Sequence, residues 1–183
     1  MKTPADIESL INDLSRRFSE HPHNSLILIS VQKQELYLIE DKKLVETYLI
    51  SSAKNGTGNL SGSYQTPLGL HYISEKIGDK AESGSIFKAR INTHKIATIL
   101  NKADQTSDAD NITSRILRLS GLEEGINKGG NVDSYERYIY IHGTDEEGRL
   151  GQAVSHGCIR MSNLNIIELF NRVTVDTLVL IKD

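Results

Sequence analysis

The chain of 183 residues has no tryptophan, three prolines and a single cysteine. One cysteine excludes an intrachain disulfide, and it leaves too few soft ligands for a cysteine-built zinc site. Three prolines and 14 glycines exclude collagen-like and proline-rich disordered chains. No apolar run approaches the roughly 18 residues that suggest a membrane span. The first 24 residues, MKTPADIESLINDLSRRFSEHPHN, are interrupted by charge and lack the apolar stretch of a secretory signal. A dominant charge is missing too: 21 Lys+Arg against 24 Asp+Glu gives a net charge of −3. Nothing therefore draws the chain as a whole to nucleic acid or an anionic membrane. These absences lead us to expect a cytoplasmic protein acting without nucleic acid or membrane, with no cofactor or metal. They leave its oligomeric state open.

What is present is an ordinary globular composition, 38% hydrophobic and 25% charged, enough for one core with a small appended element. Residues 3–20 place Ile7, Leu10, Ile11, Leu14 and Phe18 at helical spacing, with Thr3 as cap and Pro4 at the first turn. We expect residues 1–24 to be this helix and a linker, and residues 25–183 a catalytic domain. Ser25–Val31 is a nearly continuous apolar run. Glu35–Glu40 and Leu44–Ile50 follow across short polar turns, as in an antiparallel meander. Residues 51–69 hold four glycines and read as one long loop, a length more often functional than idle. Leu70–Lys76, Arg115–Leu119, Arg137–His142 and Thr177–Ile181 read as further strands. Asn163–Val173 reads as a helix, and residues 77–112 as polar and irregular. The class is mainly β (α+β).

The sole cysteine lies in Ser155-His156-Gly157-Cys158-Ile159-Arg160-Met161. A lone cysteine is often a small buried hydrophobe, but such a residue has apolar neighbours, and these are polar. In an extended segment alternate side chains share a face, so His156, Cys158 and Arg160 would point one way and Ile159 and Met161 into the core. An imidazole two residues from a thiol can take its proton and raise its nucleophilicity. Arg160 would favour the thiolate or dock a carboxylate, and Gly157 would leave backbone amides uncovered for an oxyanion. A second polar group, His142-Gly143-Thr144, ends the strand RYIYIH, where alternation puts Tyr138, Tyr140 and His142 together. Spacing alone leaves both a catalytic Cys–His pair and a structural cysteine open.

HGT (142–144) followed by SHGCIRMSN (155–163), with TPLG (66–69) upstream, resembles the signature of the L,D-transpeptidase catalytic domain, the YkuD-like family. The resemblance covers about residues 25–181. It implies a mixed β barrel or sandwich, to which the apolar periodicity adds one N-terminal helix, outside the resemblance, and one helix after the cysteine motif. It implies Cys158 as nucleophile, His156 as base and acid, and the Ser155 carbonyl orienting the His156 ring. The Gly157 and Cys158 amides become the oxyanion donors. His142, Gly143, Thr144, Tyr140 and Arg160 become substrate-binding residues. The implied substrate is a peptidoglycan tetrapeptide or muropeptide, attacked at its diaminopimelate–D-Ala bond to give a thioester. With no signal in view, the expected outcome is an L,D-carboxypeptidase that trims muropeptides in cell-wall recycling. The alternatives are a transpeptidase that forms 3-3 crosslinks or attaches proteins or D-amino acids, and a non-catalytic muropeptide-binding module.

Overall fold

The computed structural model describes residues 4–21 and 24–183, with side chains from residue 8 onward in the first segment. Thr3, Pro22, His23 and the side chain of Ile7 lie outside what is described. The molecule is mostly β. Helix α1 is Pro4–Arg17, and the meander is β1 Ser25–Ser30, β2 Glu35–Glu40 and β3 Lys43–Leu49. Then come β4 Gly69–Ile77, β5 Ser85–Lys88, β6 Ile91–Ile96, β7 Ile112–Gly121, β8 Tyr140–Thr144 and β9 Ile159–Met161. Helix α2 Asn163–Arg172 and strand β10 Leu178–Lys182 complete the chain.

The strands form one curled sheet in the order β3-β2-β1-β10-β4-β7-β5-β6, with β8 on the other edge of β7 and β9 on β8. β1 is buried on both sides because two cores meet on it. Ile27 and Ile29 join the main core with Leu38, Ile141, Ile159 and Val179. Leu26 and Leu28 face Ile11 and Leu14 of α1 in a second cluster with Ile39, Leu70 and Leu178. The apolar stripe of α1 is thus explained by packing on the outer face of the sheet. α2 covers part of the inner face through Ile166, Leu169 and Phe170. Ser162 caps α2, its Oγ accepting from the Asn165 amide at 3.2 Å.

Two expectations change. Residues 77–112 are not wholly irregular but contain the β5–β6 hairpin, whose second strand, INTHKI, is too polar and exposed to carry an alternating apolar signal. The strand expected at Arg137–His142 begins only at Tyr140, because Tyr138 has φ 56° and lies in a turn. The bend in β7 is also informative: Ser114 has φ 61°, and pairing shifts register between Thr113 and Ile116. That bulge lets one side of β7 serve β4 and β5 in succession.

Candidate active site

β8 and β9 pair in parallel, Ile141 opposite Ile159 and His142 opposite Arg160. Ile141 and Ile159 are fully buried in the core, so His142 and Arg160 take the opposite face. Cys158 immediately precedes β9. Its Sγ donates toward the Tyr138 carbonyl and accepts from the Tyr140 amide, both at 3.4 Å. The thiol is half-buried and packs against the cluster of Phe87, Ile116 and Tyr140. Burial pushes it up to about 11, reinforced by the Asp110 carboxylate; the Tyr140 amide, Arg160 and Arg137 pull the other way. At rest the sulfur is a thiol.

Two imidazoles stand near it in sequence, in opposite surroundings. His142 is buried, with Nδ1 2.7 Å from the carbonyl oxygen of Gly143. A carbonyl only accepts, so Nδ1 carries the proton and Nε2 is left as an acceptor. Burial pushes this ring down to about 4, against the Gly143 hydrogen bond, so it is neutral at pH 7. His156 is 68% exposed, with Nδ1 2.6 Å from Asp110 Oδ2 and its ring edge-on to Tyr64 at 6.3 Å. The Ser155 carbonyl, expected to orient His156, instead accepts from the Lys54 amide at 3.0 Å. The physical reason is Gly157. Its φ of +129° breaks the alternation, so residues 155–157 lie outside β9 and His156 turns to solvent. The expected sharing of one face by His156 and Cys158 is not what the structure shows.

Arg160 also differs from expectation. It is 2% exposed, with Nη1 2.7 Å from Glu146 Oε2 and Nη2 2.5 Å from Asp110 Oδ1. A guanidinium so enclosed and doubly paired is not free to dock a carboxylate. Burial alone would raise the Asp110 carboxyl, but Arg160 and the His156 hydrogen bond hold it below its ordinary value. Gly143 and Thr144 are internal as well. A Cβ on Gly143 would stand 2.6 Å from the Thr113 carbonyl, and the Thr144 carbonyl accepts from Asn163 Nδ2 at 2.9 Å. Both shape the end of β8 rather than a binding surface. Tyr140 is buried, its hydroxyl 3.2 Å from Arg90 Nη1. Of the two expected oxyanion amides, that of Gly157 donates to Ser155 Oγ at 3.2 Å. The Cys158 amide has no acceptor among the described residues.

The motif residues outside the strands act as ties. Thr66 Oγ1 accepts from the Ala53 amide at 2.9 Å and donates to the Gly157 carbonyl at 3.0 Å, locking the long loop onto the cysteine turn. Asn163 Oδ1 accepts from Thr113 Oγ1 at 2.7 Å and Ser114 Oγ at 2.5 Å, while its Nδ2 reaches Thr144 and Glu147. Every polar atom of that side chain is used, pinning α2 to the β7 bulge and the end of β8. Asp110, Tyr64 and Arg90 were not legible in the sequence. They sit in polar loops and a hairpin turn whose partners are 46, 92 and 50 residues away (His156, His156 and Tyr140).

Residues 24–181 match the family model described as the L,D-transpeptidase catalytic domain, YkuD, and the chain belongs to that family. Among curated relatives, a Bacillus subtilis protein named putative L,D-transpeptidase YqjB is 51% identical over 47 residues, which is 26% of this chain and 27% of that protein. The B. subtilis putative L,D-transpeptidase YkuD is 42% identical over 60 residues, 30% of this chain and 37% of that protein. The matched segments thus span well under half the length of these relatives. Among solved structures, L,D-transpeptidase 3 from Mycobacterium tuberculosis superimposes with a TM-score of 0.54 at 16% identity, over 87% of this chain and 61% of that one. An L,D-transpeptidase from Mycobacterium smegmatis gives 0.52 at 18%, over 87% and 59%. The shared fold includes two helices and the curled sheet found here.

Proposed function

We propose that the chain is a cysteine-dependent acyl-transfer enzyme acting on the diaminopimelate–D-Ala bond of peptidoglycan tetrapeptide stems. Cys158 is the nucleophile. The base that the geometry supports best is His142, in place of the His156 expected from spacing. Diagonal neighbours on one face of a strand pair lie about 7–8 Å apart at Cα, within reach of a ring. Carrying the β8–β9 register one pair back sets Cys158 beside Tyr140, whose amide its Sγ meets, and so diagonal to His142 on the same face. Its proton is fixed on Nδ1 by the Gly143 carbonyl, which does the orienting that a carboxylate does in other triads. This orientation of a neutral, buried imidazole is the observation that carries the reading.

With the thiol near 11 and the ring near 4, a thiolate–imidazolium pair is scarce before substrate binds. Proton transfer then accompanies attack. Sγ bonds to the carbonyl carbon as its proton passes to Nε2, and charge collects on the oxygen near the Cys158 amide. Collapse breaks the C–N bond, and the imidazolium gives its proton to the departing D-Ala amine. The thioester is then taken by water, giving a tripeptide, or by the amine of a second stem, giving a 3-3 crosslink. The relatives' names favour transfer, and the free fragments of a recycling compartment would favour hydrolysis. His156, with Asp110 and Tyr64, forms part of the rim.

Incubation of the purified protein with a disaccharide-tetrapeptide, followed by mass spectrometry, tests the reading. Released D-Ala with tripeptide marks an L,D-carboxypeptidase, and dimers mark a transpeptidase. Cys158→Ala should remove both products, and His142→Gln should lower turnover at least a hundredfold. Turnover by Cys158→Ala, or no product from the parent protein together with no acyl adduct on Cys158, overturns the proposal.

A further inference from the structure

With Arg160 enclosed by Glu146 and Asp110, and Arg137 bonded to the Gly58 and Gln65 carbonyls, a third guanidinium stands at the tyrosines that hold the sulfur. Arg90 sits at the tip of the β5–β6 hairpin, where Ala89 and Arg90 both have positive φ, 47° and 69°. That two-residue turn aims the side chain back toward β8. One Nη1 bond ties it to the Tyr140 hydroxyl at 3.2 Å, and its Cζ lies 5.2 Å from the Tyr138 ring centroid. Tyr138 and Tyr140 are the residues whose carbonyl and amide hold Cys158 Sγ. Among the described residues no carboxylate lies within 4.0 Å of Arg90, Glu75 acts on it only from farther away, and its Nε–Nη2 edge carries no hydrogen bond.

Arg90 also lines a cavity of about 560 Å³ between the 78–82 turn and the hairpin. Ile77, Ala81 and Phe87 contribute to its wall, and these same three residues belong to the apolar cluster in which Cys158 packs. The cavity and the thiol thus touch one apolar cluster from separate sides, and Arg90 reaches from the cavity to Tyr140. The rest of the lining is polar and includes the Asp79 and Glu82 carboxylates, so an anion is drawn to the Arg90 edge that faces Tyr138 and Tyr140 rather than into the hollow. A planar guanidinium with one open edge suits a carboxylate, which it binds through two parallel N–H···O bonds.

We propose that Arg90, held at Tyr138 and Tyr140, is a carboxylate receptor, so that the bond attacked by Cys158 lies beside a free carboxylate of the substrate. The inference rests on the proposed acyl transfer for its biological substrate but not for its chemistry. Within a tetrapeptide stem the carboxylate has two sources, the terminal D-Ala and the side chain of diaminopimelate.

The test exploits the single cysteine. Alkylation by iodoacetate and by iodoacetamide forms the same Sγ–C bond and expels the same iodide, the thiol proton going to water. The two reagents differ in one negative charge. The ratio of their rates therefore reports cationic attraction at Cys158 without requiring any enzymatic activity, and fold is checked by circular dichroism. In Arg90→Gln the iodoacetate-to-iodoacetamide ratio should fall about threefold or more, and in Arg90→Lys it should largely recover. A purely structural latch would change both rates together and leave the ratio constant, and that result overturns the proposal. If turnover is found, two substrates separate the sources: a stem amidated at the D-Ala terminus, and one amidated at the diaminopimelate side chain. The parent protein should show a KM about tenfold higher for one of them, and Arg90→Gln should abolish that difference. Equal KM values for acid and both amides in the parent protein also overturn it. A lost ratio with no turnover would leave the receptor standing and the acyl-transfer reading failed.

Discussion

The meander end of the sheet and the cysteine end are built on different principles. In β1, β2 and β10 nearly every inward residue is aliphatic, and hydrogen bonds run along the ladders. Around β8 and β9 the buried set includes His142, Thr144, Asp145, Glu146, Ser155, Arg160 and Asn163, and the decisive contacts join side chains to distant loops. The first region derives its stability from burial area and tolerates reshaping at a graded cost. The second is a set of polar ties, each of which strands a partner if removed. Stability is concentrated in one half, and the placement of chemistry in the other.

Substitutions should separate the halves. Leu38→Ala, fully buried in the meander, should cost about 3–5 kcal/mol by urea unfolding while leaving turnover per folded molecule unchanged. The pH dependence of stability comes next. His71 and His142 are each pushed from 6.5 to about 4, chiefly by burial. Above pH 6.5 the ring is neutral in both folded and unfolded chains. As pH falls from 6.5 toward 4 the unfolded chain binds protons that the folded rings refuse. Stability therefore drops, by roughly 3 kcal/mol per ring once pH is below 4. His71→Gln should remove about half of that loss, measured by unfolding at pH 7 and pH 4. A smaller effect is expected of Thr66→Val, which keeps shape but unpairs the Ala53 amide and the Gly157 carbonyl. It should cost about 1–3 kcal/mol and lower turnover more than Leu38→Ala does. Smallest is Ser162→Ala, which loses the α2 cap for about 1 kcal/mol and should leave turnover unchanged. Equal loss of activity per folded molecule in Leu38→Ala and Thr66→Val would erase the distinction between the halves.

The same division governs what could be read from the chain. β2 spans the residues expected of it, and α2 and β10 fall within one residue, because apolar periodicity is a local property. The motif residues Cys158, His142 and Thr66 were also visible, being clustered or set in recognisable strings. The outward turn of His156 was not. Alternation was applied across Gly157, and one glycine at φ +129° sends His156 outward. Arg160 looked available because its two carboxylate partners lie 14 and 50 residues upstream, in segments with no regular pattern. Polar residues read as a surface from sequence, and here several of them are interior.

The segment 51–69 illustrates a further consequence. A loop of that length ordinarily accepts insertions and invites proteolytic nicking. Here Lys54 is bonded to Ser155, Gly58 and Gln65 to Arg137, Asn59 to Ile126, and Ser61 to Asn131. Stitched at these points, it behaves as masonry rather than slack rope. A peptide tag placed within it should misalign the wall around the sulfur, whereas the same tag in the exposed turn at Asp41-Lys42 has no such wall to disturb.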